Sequence, residues 1–178
     1  MRFRGTYSRY KIQDSGEFVK YGEWLAAPRE KETFEGERII MRRTDDNIYA
    51  TYINNNAVCV NSCHILKFLK GSPSDLKYKF ILGLLNSKFY QRIFELQNPQ
   101  MVGKTFAEIK VVYVENLPYK ETDKRLQEAI ITNVDKIIEL RKHNLHASTS
   151  ELERQLDEIV YQIFNLSPKE IGLVESSK

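Results

Sequence analysis

The chain has 178 residues, 42% of them hydrophobic and 29% charged, which is enough for one domain with an appended segment. The mean hydropathy is −0.48 and no run of 18 apolar residues occurs, which argues against a membrane-spanning helix. The formal net charge of +3 hides an asymmetry: residues 1–120 contain 19 Lys and Arg against 13 Asp and Glu, whereas residues 121–178 contain 8 against 11. A modestly basic first part is compatible with a polyanionic partner such as nucleic acid.

The N-terminal residues are basic but no apolar run follows them, so we expect no secretory signal and a cytoplasmic protein. Two cysteines fit neither a disulfide framework nor a secreted small domain, and we predict free thiols. Cys59, Cys63 and His64 are close in sequence, but no fourth zinc ligand lies near them. Buried thiols beside an ordinary histidine are therefore favoured over a zinc site.

The first third of the chain predicts several short strands, most of them antiparallel, separated by polar turns such as Asp45-Asp46-Asn47. Their aromatic and β-branched residues place them at Phe18–Leu25, Arg38–Arg42, Ile48–Ile53 and Ala57–Ser62.

A change of period marks the start of a helix at Ser72-Pro73-Ser74-Asp75, where a capping residue precedes proline. Apolar residues then recur at steps of three and four from Leu76 to Phe94, which predicts one long helix with a broad buried face that ends at Asn98-Pro99. Next, Thr105 to Glu108 has the spacing of a capping box, and Lys110–Val114 predicts a further strand.

Two apolar stripes, from Leu126 to Arg141 and from Leu152 to Ile163, predict a pair of helices in the acidic tail. Ser148 with Glu151, and Ser167 with Glu170, supply start signals for the second helix and for a short third one. We therefore predict an α+β fold. A mainly antiparallel β module with a packed central helix (residues 1–120) is followed by a C-terminal helical hairpin (residues 121–178).

We find no convincing catalytic constellation: the sequence lacks a glycine-rich cofactor turn and a nucleophile elbow. Asn98-Pro99-Gln100-Met101 shares its first two residues with the Asn-Pro-Pro-aromatic motif of amino-methyltransferases, but an ordinary helix-ending turn is favoured. Glu108-x-Lys110 lacks the preceding carboxylate of a metal-dependent nuclease, and a helix-capping glutamate is favoured there. We expect a chain that neither catalyses a reaction itself nor binds a cofactor or a metal.

Three polar loops carry the remaining chemistry. Arg42-Arg43-Thr44 at a strand end could aim guanidinium groups at guanine edges or phosphates, and Asn54-Asn55-Asn56 could offer amides to adenine. Gln100, Lys104 and Thr105 flank Gly103 in a loop that could also reach DNA. Ordinary solvated turns and loops are the alternative interpretation of all three.

A set of short motifs occurs in a fixed order along the chain. They are Arg4-Gly5-x-x-x-Arg9-Tyr10, Tyr21-Gly22-x-Trp24-Leu25, Pro28-Arg29, FEGERIIMRR (34–43), Ile48-Tyr49-Ala50-Thr51, Asn61-Ser62, LGLLNSK (82–88), Gly103 before Phe106, Leu117-Pro118 and the pattern from Leu152 to Ser167. Together they resemble the TaqI-like C-terminal specificity domain. That domain is the target-recognition part of type IIG restriction-modification enzymes and related adenine-specific DNA methyltransferases.

The resemblance implies recognition of double-stranded DNA in the major groove, while a methyltransferase core in the same parent chain flips and methylates adenine. That core would use S-adenosylmethionine, and Mg²⁺ would be needed if a nuclease is present. Neither region occurs in this sequence, so we expect a C-terminal fragment of a larger enzyme, with Met1 an artificial start.

Under this resemblance, DNA contacts are expected from three loops and from the N-terminal segment. The loop residues are Arg42, Arg43, Thr44, Asn54, Asn55, Asn56, Lys104 and Thr105. Phosphate contacts at the junction with the missing core are expected from Arg2, Arg4, Arg9 and Lys11. Asn86 and Ser87 are expected to fix local packing rather than to read bases.

Three other interpretations stay open. The first is a recognition domain of a type I specificity subunit, in which long helices separate two such domains. The second is a protein-interaction module that docks a partner through the acidic helical tail. The third is a free-standing enzyme, which detectable cofactor binding would support.

Overall fold

A short β-rich first part and a helical second part make up the chain. The computed structural model describes residues 2–3, 7–12, 20, 22–25, 28–59, 62–68, 75–104 and 107–176. Its strands are β1 (Arg2–Phe3), β2 (Tyr7–Ser8), β3 (Lys11–Ile12), β4 (Glu37–Arg42), β5 (Ala50–Asn54), β6 (Val58–Cys59) and β7 (Cys63–Leu66). Its helices are α1 (Asp75–Asn86), α2 (Lys88–Gln97), α3 (Val111–Glu115), α4 (Lys124–His143), α5 (Ser150–Phe164) and α6 (Pro168–Glu175). The predicted α+β class is confirmed.

The main sheet is antiparallel, with β4 between β5 and β7. Met41 pairs with Ala50 on one side and with His64 on the other, so the end of β4 is held from both directions. The central strand is covered on both faces, and its four inner residues are buried. The strands predicted at Arg38–Arg42 and Ile48–Ile53 are confirmed, the second with a shift of one or two residues.

Two other strand predictions are wrong or incomplete. Residues 22–25, within the predicted strand Phe18–Leu25, form a turn in which the Leu25 amide donates to the Gly22 carbonyl at 3.1 Å. In the predicted strand Ala57–Ser62, only residues 58 and 59 of the described part are extended. The third strand of the sheet is β7, which the sequence interpretation missed. All four of its residues are half-buried, so the burial alternation that marks a strand is absent.

The predicted long helix is two helices, because Ser87 interrupts it. Ser87 has an extended backbone, its hydroxyl accepts from the Tyr90 amide at 3.3 Å, and it donates to the Leu84 carbonyl at 2.7 Å. The start signal Ser72-Pro73-Ser74 lies outside the described residues, and α1 is described from Asp75. The predicted end at Asn98-Pro99 is confirmed.

The segment Lys110–Val114 is helical, so the prediction of a strand there is wrong. Helix α3 follows Lys110, whose carbonyl accepts from the Tyr113 amide at 3.0 Å. Val111 and Val112 are about half exposed and have no neighbouring strand among the described residues to pair with. Without such a partner, β-branched residues do not enforce extended structure.

The helical hairpin of the tail is confirmed: α4 and α5 pack against each other. Asp123 caps α4 and Ser167 with Glu170 forms the predicted capping box of α6, but the cap of α5 is Thr149 rather than Ser148. Helix α1 contacts both the main sheet and α4, which makes it the central helix. Within the described ranges no helix combines the length and apolarity needed to cross a bilayer.

Candidate nucleic-acid interface

The end of β4 carries the predicted arginine turn, Arg42 to Thr44. A tight turn follows it, in which the Asp45 carboxylate accepts from the Asp46 amide at 2.9 Å. Arg42 donates from Nη1 to Asp45 Oδ2 at 2.7 Å, and its guanidinium lies 4.8 Å from the centre of the Tyr49 ring. The turn therefore holds the Arg42 side chain at the sheet end, where 31% of it remains exposed.

A second segment, residues 107–109, lies along this turn. Thr44 and Glu108 form an antiparallel bridge, the Ile109 amide donates to the Arg43 carbonyl at 2.7 Å, and the Asp45 amide donates to the Ala107 carbonyl at 3.1 Å. We call this arrangement, residues 42–45 with 107–109, the bridged edge. It gives the sheet end a backbone frame that does not depend on the side chains it displays.

The loop of Lys104 leads directly into the bridged edge. The Lys104 carbonyl accepts from the Ala107 amide at 3.1 Å, and Lys104 is exposed. The structure thus brings two of the predicted sites together, the arginine turn and the Lys104 loop. Thr105, predicted beside Lys104, lies outside the described residues.

Glu108 does not cap a helix, which corrects the sequence interpretation of this residue. Its Oε1 accepts from Arg43 Nε at 3.0 Å and from Arg43 Nη2 at 2.6 Å. The hydrogen bond and charge of Arg43 hold the pKa of Glu108 below its usual range, and the charges of Lys110 and His64 act in the same direction. Glu108 is therefore an ionised acid paired with Arg43, as Asp45 is paired with Arg42 on the same edge.

The asparagine turn, Asn54 to Asn56, lies at the opposite end of the sheet. Asn54 pairs with Glu37 at the start of β4, whereas Ala50 pairs with Met41 near its end. Four residues of extended strand separate the two ends by about 13 Å. All three asparagines are exposed, and the structure does not bring them together with the arginine turn.

Arg38 holds the asparagine turn in place and was not singled out from the sequence. It is fully buried, and it donates to the carbonyls of Gly36, Asn55 and Ala57, each at 2.6 Å. Asn55 Oδ1 also accepts from the Ala57 amide at 3.0 Å. A buried cation that donates to three carbonyls is a structural group, because its charge is not available to a ligand.

Arg9 and Lys11 connect the N-terminal strands to the helical tail. The Arg9 guanidinium lies 5.6 Å from the centre of the Tyr49 ring, the ring that Arg42 also approaches, and 3.8 Å from Glu153 of α5. The Lys11 ammonium donates to the carbonyls of Arg141 and Lys142 at the end of α4. Tyr49 thus links Arg9 with Arg42, while Lys11 caps a helix.

Two predicted N-terminal contacts cannot be placed, because Arg4 and the side chain of Arg2 lie outside what the structure describes.

Asn86 fixes local packing, as expected. Its side-chain amide accepts a hydrogen bond from the Ala50 backbone nitrogen at 3.1 Å and donates one to the Ala50 carbonyl oxygen at 3.0 Å. Among the described residues, no group of three or more His, Cys, Asp or Glu could hold a metal ion.

The fold and this edge define a small α+β module with guanidinium and ammonium groups displayed at one end of an antiparallel sheet. The family model of the TaqI-like C-terminal specificity domain matches residues 3–119, and the chain belongs to that family. The resemblance drawn from the sequence motifs is confirmed.

A solved structure agrees with this assignment. The chain is similar to the type IIL restriction-modification enzyme MmeI, whose structure was determined in complex with DNA, with a TM-score of 0.56 and 15% sequence identity. The match covers 77% of this chain and 20% of that one, so the chain spans about a fifth of the enzyme's length. At this identity the likeness concerns the fold. No curated protein matches the chain.

Proposed function

We propose that the chain recognises double-stranded DNA sequence-specifically, as the C-terminal specificity domain of a type II restriction enzyme or adenine-specific DNA methyltransferase. The catalytic core would lie elsewhere in the parent protein, and the complete enzyme would act in the cytoplasm. Family membership supports this proposal, and so does the bridged edge, which sets Arg42 and Arg43 beside the loop of Lys104. Arginine forks are the commonest groups that read guanine in the major groove.

The predicted residues take different parts in this proposal. Arg42, Arg43, Thr44, Lys104 and Thr105 would contact bases or phosphates from one end of the sheet. Asn54 to Asn56 would contact DNA about 13 Å away, a distance of roughly four base-pair steps. Arg4, Arg9 and Lys11 would lie near the junction with the core. The division into a DNA-reading segment (1–120) and a helical region (121–178) is kept as part of the proposal.

Binding of fluorescently labelled duplexes of varied sequence, at two salt concentrations, tests the proposal. We expect measurable affinity at low salt, weaker affinity at high salt, and a preference among sequences. An absence of binding to every duplex at low salt would contradict it.

Arg42→Ala and Arg43→Ala should each weaken binding to the preferred duplex roughly 5- to 150-fold, since each removes a guanidinium from the edge. A matched control is Arg154→Ala. Arg154 is 53% exposed and pairs with Glu151 and Glu158 on α5. Its variant should bind as the wild type does, whereas an equal loss in all three variants would point to a non-specific charge effect.

A further inference from the structure

Glu108 is an acidic residue on an edge where the proposed contact with DNA calls for basic side chains. A carboxylate near DNA is repelled by phosphates, so its presence on the bridged edge needs a reason. One reason would be the stability of the fold. However, backbone contacts already hold this segment to the sheet. They are the bridge of Thr44 with Glu108 and the hydrogen bonds that the amides of Asp45 and Ile109 donate.

The ion pair itself adds little to that stability. Arg43 is 35% exposed and Glu108 is 50% exposed, and pairs at such exposure contribute about 0 to 1 kcal/mol. The pair does, however, fix the direction of the carboxylate, because both Arg43 donors meet the same oxygen, Oε1. Among the described residues, none donates a hydrogen bond to Oε2. The other acid of the edge, Asp45, has both carboxylate oxygens engaged, one with the Arg42 guanidinium and one with the Asp46 amide. Glu108 Oε2 is therefore a directed acceptor that the described part of the edge leaves open to a ligand.

We propose that Glu108 is a specificity-determining residue that accepts a hydrogen bond from the N4 amino group of a cytosine in the major groove, with Arg43 as its positioning residue. This inference rests on the proposed function. In the major groove a carboxylate can bond only to exocyclic amino groups, those of cytosine and adenine. Adenine N6 lies next to N7, an acceptor that repels a carboxylate, whereas no acceptor adjoins cytosine N4 on its own base.

Selection from a pool of short duplexes with a randomised centre tests this assignment, with sequencing of the bound fraction. The wild type should enrich one position strongly in cytosine. Glu108→Gln keeps an acceptor oxygen but adds an amide donor, a combination that matches adenine N6 and N7, so the enrichment at that position should shift from cytosine towards adenine. Glu108→Lys should instead shift the preferred base at that position to guanine, whose O6 and N7 accept hydrogen bonds.

Glu151→Gln is the control, since Glu151 is an exposed acid that pairs with Arg154 on α5, as Glu108 pairs with Arg43. It should leave every base preference unchanged. If both Glu108 variants keep the wild-type thermal transition and the wild-type base preferences, the inference is overturned while the proposed function stands. If the wild type itself enriches no sequence, the proposed function fails and this inference fails with it. A Glu108→Lys variant that does not fold leaves Glu108→Gln to decide.

Discussion

Asp157 is a buried carboxyl group beside the start of α2. It is 4% exposed, and its Oδ1 accepts from the Lys88 amide at 2.8 Å. Burial raises the pKa of Asp157 to about 6, even though the hydrogen bond and the charge of Lys88 lower it. Its ordinary pKa is near 4, so the folded chain holds the proton more tightly than the unfolded chain does. The stability that this proton contributes is present below about pH 4 and is lost as the pH rises through about 6.

Asp157→Asn should remove this pH dependence. The amide oxygen of asparagine can still accept from Lys88, but the side chain does not ionise. Between about pH 4 and about pH 7, the free energy of unfolding of the wild type should fall relative to that of the variant by on the order of 3 kcal/mol. Urea unfolding at several pH values measures both curves. If the two curves run parallel, Asp157 has no raised pKa in the folded chain.

Arg38 and Tyr49 show what a residue's own sequence context leaves undetermined. Arg38 belongs to the motif FEGERIIMRR together with Arg42 and Arg43, yet it is buried while the other two are partly exposed. Its carbonyl partners include Asn55 and Ala57, 17 and 19 residues further along the chain. The arginines at the strand end were predictable as surface groups. The contacts of Arg38 with residues 17 and 19 positions away could not be predicted from the sequence. The position of the Tyr49 ring beside both Arg9 and Arg42 could not be predicted either.

At the scale of elements, the sequence predicts periodicity better than it predicts breaks. The apolar period continues from α1 into α2, so it conceals the interruption at Ser87, which depends on one side-chain cap. The segment Lys110–Val114 is predicted as a strand but forms α3 for a related reason. A strand needs a neighbouring strand to pair with, and the local sequence does not show whether one is present. The amphipathic helices α4 and α5 need only their own apolar stripes, and both were predicted.

Ser87→Ala tests the cap between α1 and α2. Loss of the hydroxyl leaves the Tyr90 amide without its side-chain acceptor, and the free energy of unfolding should fall by about 1 to 2 kcal/mol in urea titrations. Ser148→Ala is the control, because Ser148 is exposed and its hydroxyl contacts only Ser150 among the described residues. Equal effects of the two substitutions would show that Ser87 is not an energetically significant cap.

Across the whole molecule, the buried apolar residues form one continuous cluster. It includes Met41 of the sheet, Leu84 of α1, Ile130 of α4 and Leu156 of α5, and so extends to both sides of residue 120. Gly83 of α1 lies directly against the side chains of Ile130 and Val134 of α4. A Cβ atom placed there would lie 2.5 Å from the Ile130 Cγ2 atom, which is shorter than any ordinary contact. The tail is thus packed into the core of the β module.

Gly83→Ala should push α1 and α4 apart and lower the free energy of unfolding by about 1 to 3 kcal/mol, because the added methyl group overpacks the core. Gly172→Ala is a matched control within a helix, since a Cβ there meets nothing within 4 Å. It should leave stability unchanged or raise it by up to about 1 kcal/mol, through helix propensity. Thermal unfolding of both variants and of the wild type measures these changes in stability. A neutral Gly83→Ala would mean that the two helices can separate without loss.

The bridged edge also has a kinetic consequence. Arg43 and Glu108 are 65 residues apart in the chain, and α1 and α2 lie between them. Closing so long a loop costs entropy before any contact repays it. Local helices form in about a microsecond, whereas contacts between distant segments come later. We therefore expect the two halves of the edge to meet only after the intervening helices have folded, so that a nascent or partly unfolded chain lacks the complete edge on which the proposed DNA contact depends.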